Sequence, residues 1–319
     1  MNFTVGGSVS DALTHLAMVG TAAILQESGC AVQMGWADGA AATARIWLPD
    51  GVDVGTCVQT HAARHSSDDS WVQHKHEHLG AMVGSFSPRI KAAVSRSTWE
   101  TLIRVRTDGL SSGSLTWLDH AMIGALGEPA YWLADQPDLG ASRWEMKTRN
   151  RGEEFVGHRL GPLARQVAAR TPAHITAGLV GGVVDDGKNG ASSRTATGLR
   201  SPGPTDTAVA WCALWGISQT TLVPQARAMS QTSGSSPRNR VHPRAMALPV
   251  FARPVTLGRW RGVMASHQLD EVAFGQKAAS SHAWLKMAGV TALVVFPTEV
   301  VGSKSAPERR LLQGSLKLL

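Results

Sequence analysis

Residues 2–48 read NFTVGGSVSDALTHLAMVGTAAILQESGCAVQMGWADGAAATARIWL, and they set the expected fold class. The first four of them, NFTV, predict a short strand that ends at Gly6-Gly7. Apolar residues then recur at helical spacing up to about Glu27, and Ser8 or Ser10 is the predicted N-cap of this helix.

Two further strands are predicted after the helix, at residues 31–36 and 44–48, with the turn signal Asp38-Gly39 between them. The resulting order is strand, helix, strand, hairpin and strand. This is the first half of a ferredoxin-like module, the fold used by RNA-recognition domains. Because unrelated proteins share this order, it predicts a fold class and no particular function.

The rest of the chain alternates helices and strands, which predicts an α+β protein with a mixed α/β arrangement. We expect an N-terminal α/β lobe with the ferredoxin-like start over residues 1–115. A second strand–helix lobe is expected over residues 116–319. Other expected elements are helical material over 55–83, a buried strand over 175–184 and an apolar helix over 204–216 capped by Thr205 or Asp206.

The 319 residues carry a formal net charge of +7, the sequence pI is about 9.8, and 43% of the residues are hydrophobic. A chain of this size can bury a sizeable core, and its basic balance favours anionic partners. Cys30, Cys57 and Cys212 form no CxxC pair, which is typical of reduced thiols in the cytosol. No signal-peptide pattern or membrane-crossing apolar run is visible, so we expect a cytoplasmic protein without membrane contact.

Basic and aromatic residues are concentrated in residues 127–160. Arg149, Asn150 and Arg151 are adjacent and so point in different directions, whereas a solvated helix face would space its charges three or four residues apart. Gly140 and Gly152 would let the backbone bend at both ends of the run. The mixture of stacking and phosphate-binding side chains favours nucleic-acid contact over a basic loop paired to its own glutamates. The predicted contact residues are Arg143, Trp144, Lys147, Arg149, Asn150 and Arg151.

A second glycine-bearing loop covers residues 185–204. Gly187-Lys188-Asn189 is similar to the end of a phosphate-binding loop, but Asn189 stands where that pattern requires a Mg²⁺-binding hydroxyl. An NTPase site is therefore rejected. The looser interpretation is that Lys188, Asn189 and Arg194 hold a nucleic-acid backbone, and a solvated loop is an equally good alternative.

A low-complexity segment rich in Ser, Gly and Arg covers residues 226–244. Its composition predicts a segment that is mobile in the free protein and ordered by a partner. Arg238, Arg240 and Arg244 are its predicted nucleic-acid contacts.

The best candidate for a metal site is HKHEH, residues 74–78. Two histidines four apart on a helix can share a metal ion, and His74 and His78 have this spacing with Glu77 near. The HExxH order and a third ligand are missing, so an exposed histidine-rich helix without metal is the favoured interpretation.

Catalysis is not expected either. Asp68-Asp69 and Asp185-Asp186 are adjacent pairs, whose side chains point apart rather than at one metal ion. No GxSxG nucleophile motif occurs in the sequence. We therefore predict a chain that binds without a cofactor and does not cut.

Five stretches together resemble the large-subunit-like Csb family of type I-G CRISPR systems, formerly type I-U. They are GALGEPAYWL (124–133), GASRWEMKTRNRGEEFV (140–156), GKNGASSRTATGL (187–199), PGPTDTAVAWCALWGIS (202–218) and APERRLL (306–312). The resemblance extends over most of the chain, from Ser8 to the last residue, and is weakest over residues 55–120 and 226–244.

The resemblance implies a subunit of a Cascade surveillance complex, with CRISPR RNA, target DNA, other Cascade subunits and a helicase–nuclease as partners. Such a subunit would sense the motif that flanks the target, stabilise the opened strands and recruit the helicase–nuclease. In guide-RNA complexes, base pairing reads the sequence while protein reads backbone shape and the flanking motif. Basic, glycine-hinged loops with aromatic residues suit that role.

Two alternatives stay open at the level of sequence. The first is an RNA-backbone Cascade subunit built on the ferredoxin-like start. The second belongs to another class, a metal-dependent phosphoesterase that would use His74, His78 and Asp69.

Overall fold

The computed structural model describes most of the chain. The described residues are 1–37, 42–78, 81–84, 86, 96–111, 113–127, 155–187, 190, 193, 195–220, 222–223, 230–238, 243–275, 279–303 and 306–319. They form an α+β fold of helices and antiparallel sheets, which confirms the fold class predicted from sequence.

The N-terminal half contains three strands of one sheet, a short hairpin and most of the helices. Its elements are β1 (Asn2–Val5), α1 (Ala12–Glu27), β2 (Gln33–Trp36), β3 (Ala44–Trp47), α2 (Val54–Ser66), β4 (Lys75–His78), β5 (Ala81–Gly84), α3 (Arg96–Leu110), α4 (Trp117–Leu126), a π-helical turn (Val156–Leu160), α5 (Gly161–Ala168) and α6 (Pro172–Leu179).

The C-terminal half is built around one long strand. Its elements are α7 (Thr207–Gly216), a 3₁₀ turn (Ile217–Gln219), β6 (Leu222–Val223), β7 (Gln231–Thr232), β8 (Ser235–Ser236), β9 (Ala245–Phe251), α8 (Leu257–Ala265), α9 (His267–Phe274), α10 (Ala279–Met287), β10 (Val290–Ser303), β11 (Ala306–Leu311) and β12 (Ser315–Leu318).

The first sheet has the order β1–β3–β2, with β3 antiparallel to both neighbours, and α1 packs against it. This is the arrangement expected for the first half of a ferredoxin-like module. The N-cap of α1 is Asp11, whose side chain accepts from the backbone N–H of Leu13, and not Ser8 or Ser10 as predicted. All three residues are N-cap types, so composition alone could not choose among them.

Helices α1 and α7 form the centre of the molecule. Every residue from Ala12 to Leu25 is buried, because α1 lies between the first sheet and α7. A Cβ atom at Gly20 would lie 1.8 Å from the carbonyl oxygen of Cys212, and one at Gly216 would lie 2.2 Å from that of Leu16. The two glycines therefore allow the helix backbones to touch.

The second sheet has the order β11–β10–β9–β8, and β12 pairs with β10 on the same edge as β11. The two sheets are joined by a backbone bridge in which Met34 and Val255 exchange two hydrogen bonds of 2.9 Å. The buried core draws residues from both sides of the predicted boundary at 115. The division into two lobes stays a prediction of the sequence.

Two expected elements are wrong. The helical material over 55–83 ends with α2, and β4 and β5 then pair as a hairpin. Half of the expected strand over 175–184, residues 175–179, lies in helix α6, because Thr171 caps a helix that begins at Pro172. A short apolar run fits a buried helix as well as a buried strand, and here the cap decides.

Among the helices of the described residues, none has both the length and the apolar character needed to cross a membrane.

The contact between α1 and α7 predicts that adding one methyl group at Gly20 destabilises the protein. Gly20→Ala should lower the free energy of unfolding by about 3 kcal/mol, because the new Cβ meets backbone that cannot move aside. The matched control is Gly124→Ala on α4, where a Cβ meets no atom within 4 Å. That control should leave stability unchanged or raise it by up to about 1 kcal/mol. Urea unfolding followed by circular dichroism measures both, and equal stability of the two variants would contradict the packing argument.

Candidate nucleic-acid interface

The residues that flank the loop of residues 187–204 are hydrogen-bonded to each other. The backbone N–H of Asp186 donates to the carbonyl of Thr205 at 2.9 Å, and the N–H of Thr205 donates back at 3.0 Å. The next residue, Asp206, is the N-cap of α7 and is one of the two caps that the sequence predicted, Thr205 or Asp206. The stem of the loop is thus attached directly to a fully buried helix.

Arg170 holds the two sides of this stem together. Its Nη1 donates to both carboxylate oxygens of Asp206, at 2.9 and 2.8 Å, and its Nη2 donates to Asp185. Asp185 also accepts from the backbone N–H and the hydroxyl of Thr207, both at 2.9 Å. The Asp185 carboxylate, although exposed, is thus engaged with the first turn of α7.

Two of the five stretches that carry the family resemblance, 187–199 and 202–218, form this loop and its stem. A third contacts the loop, and a fourth ends three residues before a residue that contacts it. The N–H of Leu311 donates to the carbonyl of Gly198 at 2.9 Å. Arg159, three residues after the 140–156 stretch, donates from Nη1 to the carbonyl of Thr197 at 2.7 Å. The 202–218 stretch supplies the stem and α7. Segments far apart in sequence therefore share one region of the fold.

Beside the stem lies a cavity of about 670 Å³ that we call the stem cleft. Its walls are the Gly6-Gly7 turn, the first turns of α1 and α7, and the chain around Arg200. Arg200 Nη1 lies 3.6 Å from Oδ2 of Asp11. Burial raises the pKa of Asp11, and the charge of Arg200 opposes this rise.

The glycine pair at the stem cleft is required by close approach. A Cβ at Gly6 would lie 2.7 Å from the backbone of Val180, and one at Gly7 would lie 2.0 Å from Oγ1 of Thr14. Gly7 also has a φ of +125°, which side chains other than glycine rarely adopt. The turn between β1 and α1 is thus fitted tightly against the chain that follows α6.

On the other side of the stem lies a second cavity of about 570 Å³. Its lining includes His158, Gln166, Asp186, Thr195 and Thr207. The loop that carries three predicted contact residues therefore enters the fold between two open clefts.

The predicted contact residues fall mostly outside the described residues. This holds for Arg143, Trp144, Lys147, Arg149, Asn150 and Arg151, for Lys188, Asn189 and Arg194, and for Arg240. Their roles stay predictions of the sequence.

Two predicted contacts are described, and they differ. Arg238 forms an ion pair with Asp270 and donates to the carbonyl of Ser266 at 3.0 Å, so it serves the fold. Burial raises the pKa of Asp270, and Arg238 counteracts this rise. Arg244 is exposed, and its backbone bonds to Ser236 and Thr298, at 2.6 and 2.8 Å, fix the position from which its side chain projects.

The segment predicted to be mobile is ordered over residues 230–238. β7 pairs with β6 and β8 with β9, and four of the hydroxyl residues are buried: Ser230, Thr232, Ser233 and Ser235. Composition indicated disorder because Ser and Gly bury little apolar surface. Here backbone pairing and side-chain hydrogen bonds such as Ser235 to the Thr232 carbonyl, at 2.7 Å, order the segment instead.

The histidine spacing proposed for a metal site is not helical. Residues 75–78 are strand β4, so His74 and His78 do not stand one turn apart on a helix. A different pair, His61 and His65, does have that spacing on α2, and both side chains are buried. The signal was in the sequence: the buried positions Val54 and Val58 continue as His61 and His65 along one helix face.

His65 lies in a buried polar cluster with Asp119 and Trp71. Its Nε2 lies 2.7 Å from Oδ1 of Asp119, its Nδ1 lies 2.7 Å from the carbonyl of His61, and Trp71 Nε1 donates to Asp119 at 2.9 Å. Burial acts to raise the pKa of Asp119, but His65 and the Thr116 backbone outweigh it and hold the pKa below its usual range. Both His65 and Asp119 are at most 2% exposed, so a nucleic-acid strand cannot reach them.

His61 stands beside the rings of Trp215 and His65, with centroids 4.5 and 4.4 Å away. Neither of its ring nitrogens makes a hydrogen bond, and Nε2 lies 3.6 Å from Oε2 of Glu27. Burial holds the pKa of His61 well below its usual value, and the charges of His65 and Arg64 lower it further. Within the described residues, no group of three or more His, Cys, Asp and Glu side chains is placed to hold a metal ion.

Comparison with known proteins finds no match to any family model, any curated protein or any solved structure.

The buried histidines predict that acid destabilises the fold. Burial lowers the pKa of His15 from 6.5 to about 4, although its bond to the Val9 carbonyl opposes this. As the pH falls, the unfolded chain therefore takes up the proton first. The contribution of neutral His15 to the free energy of unfolding is complete above about pH 6.5. It decreases progressively as the pH falls to about 4. His61 and Asp119, whose pKa values are also lowered, act in the same direction.

Urea unfolding at several pH values between 4 and 7.5 measures the slope of the free energy of unfolding against pH. His15→Gln should make it shallower, since the amide retains a donor for Val9 but does not titrate. His120→Gln, at an exposed position on α4, is the control and should follow the wild type. If the His15→Gln variant had the same slope as the wild type, buried His15 would not be a source of the pH dependence.

Proposed function

We propose that this chain is a non-catalytic, cytoplasmic subunit of a type I CRISPR surveillance complex. It binds target DNA, guide RNA or both, recognises the motif that flanks the target and helps to recruit the helicase–nuclease. The observation that carries the proposal is the convergence of motif-bearing stretches on one loop, whose stem lies beside two clefts. Loops on a rigid scaffold are where binding residues concentrate.

The charges around the stem support the proposal. Arg170 is paired with Asp185 and Asp206, and Arg200 lies beside Asp11. The carboxylates Asp185, Asp206 and Asp11 thus already have cationic partners on the scaffold. The basic loop residues Lys188 and Arg194 are not needed to neutralise them and are suited to phosphate contact.

A second candidate is the RNA-backbone subunit of the same kind of complex. Its support is the strand order β1–β3–β2 with α1 packed on one face, the first half of a ferredoxin-like module. The two candidates differ in their preferred ligand, which is a duplex bearing the flanking motif for the first and guide RNA for the second. The phosphoesterase alternative has little support, because His74 and His78 lack helical spacing.

Glutamate substitutions in the basic run test the binding surface. In the assembled complex, Arg143→Glu, Lys147→Glu, Arg149→Glu and Arg151→Glu should each weaken DNA or RNA binding. The slope of log K against log salt should fall by about 1 for each phosphate contact that a substitution removes. Arg104→Glu, on the exposed side of α3, is the matched control and should leave the slope unchanged. Unchanged affinity and slope in all four variants would reject this surface.

Absence of cleavage is a separate expectation. The purified chain, and the assembled complex without its nuclease, should leave target DNA and RNA intact in Mg²⁺ or Mn²⁺. Phosphodiester cleavage needs converging metal ligands or an activated nucleophile, and the sequence shows neither. Cleavage that survives purification and is abolished by substituting a carboxylate or histidine of this chain would show that it is an enzyme.

A further inference from the structure

A groove of about 860 Å³ lies between the first sheet, the C-terminal end of α1 and the first turn of α8. We call it the Trp47 groove. It is lined by Gln26, Gly29, Cys30, Ala31, Val32, Gln33, Trp47, Leu48, Pro49, Thr256, Gly258 and Arg261. Its volume lies in the range of small-molecule sites, and it is separate from the two clefts beside the stem.

Trp47 is a large aromatic residue that the fold does not use as core. Along β3, Ala44 and Ile46 are buried towards α1, while Arg45 and Trp47 lie on the opposite face. The Trp47 side chain is half-buried and makes no ring contact or hydrogen bond with the residues that the structure describes. By contrast, Trp36, at the end of β2, is fully buried and packs against His15. The accessible part of the Trp47 indole therefore has no aromatic partner and is available for stacking.

The groove is cationic. Its lining contains Arg261 and no carboxylate, and Arg261 forms neither an ion pair nor a side-chain hydrogen bond within the described part of the chain. The two nearest carboxylates in sequence are engaged elsewhere: Glu27 with Arg64 at 2.8 Å, and Asp50 with the N-terminal amine at 3.0 Å.

The first turn of α8 adds to this positive field. Thr256 caps the helix by accepting from the N–H of Arg259, and the first turn carries no acidic residue. Thr256 and Gly258 both line the groove. The positive end of the helix dipole thus faces the same space as Arg261, and this end favours anions.

We propose that the Trp47 groove binds single-stranded nucleic acid. One unpaired base stacks on the indole of Trp47, and a neighbouring phosphate is held by Arg261 and the first turn of α8. The amides of Gln26 and Gln33 line the same groove and offer donors and acceptors to a base edge. Proteins that bind single strands without sequence preference stack bases on aromatic side chains and hold the nucleic-acid backbone in a positively charged groove. The assignment rests on the proposed function and adds to it a site on a different face.

The chemistry favours a single strand over the other occupants. A duplex keeps its bases stacked on one another, so it offers no free face to Trp47. An apolar peptide would leave Arg261 and the helix terminus without a partner. A free nucleotide shares the base and phosphate chemistry but makes only part of the contact.

Fluorescence anisotropy of the full chain with labelled 12-nucleotide DNA, RNA and duplex DNA tests the assignment. The single strands should bind the chain. Trp47→Ala or Arg261→Gln should lower the affinity by roughly tenfold, the effect of removing one stacked base or one phosphate partner. Trp47→Phe and Arg261→Lys should retain most of the affinity. The matched controls are Trp284→Ala, at a half-exposed position on α10, and Arg104→Gln on α3, and both should bind as the wild type does.

The outcomes separate the groove from the proposed function. If the wild type binds neither single strand, the groove assignment is overturned, whereas the proposed function is judged by nucleic-acid binding of the assembled complex. If it binds and the Trp47 and Arg261 variants bind equally well, only the groove is overturned. If the Trp47→Ala variant loses affinity for duplex and for single strands equally, the groove assignment is also overturned, since stacking requires an unpaired base. Thermal melting checks folding, and photocrosslinking from a 5-iodouridine strand should label Trp47 whether or not the alanine variant folds.

Discussion

Backbone contact between α1 and α7, at Gly20 and Gly216, is the constraint on which the other elements depend. Two helices that touch at glycine bring their whole surfaces close, and both are buried on nearly all sides. The first sheet then covers the remaining face of α1, and the first turns of both helices line the stem cleft. A larger side chain at either position would separate the helices and with them the walls of that cleft.

Among the residues that the structure describes, the polar groups named here enter this packed centre with partners or as neutral groups. Arg170 joins Asp185 and Asp206 at the loop stem, and His65 bonds to Asp119 beneath the tryptophans of α7. His61, which has no hydrogen-bond partner, is kept neutral by its surroundings. The lowered pKa values of His61 and Asp119 are one reason why stability should depend on pH.

The candidate binding surfaces have different origins. The basic run of residues 140–156 and the 187–199 loop are visible in the sequence, because charge, glycine and aromatic residues cluster there. The Trp47 groove is not, since Trp47 and Arg261 are far apart in the chain and neither belongs to a charged cluster. The bridge between Met34 and Val255 and the packing of α8 on α1 bring the α8 region beside the first sheet.

Elements whose signals are local could be predicted from the sequence alone. The alternation of β1 to β3, the Asp206 cap and the apolar pattern of α7 all follow from spacing and capping chemistry. Features that depend on distant partners required the folded chain. His61 and His65 became core because tryptophans of α7 cover them, Arg238 became structural because Asp270 lies beside it, and residues 230–238 became ordered because β6 and β9 pair with them. A polar residue's role depends on which partner the fold supplies, and local sequence does not contain that partner.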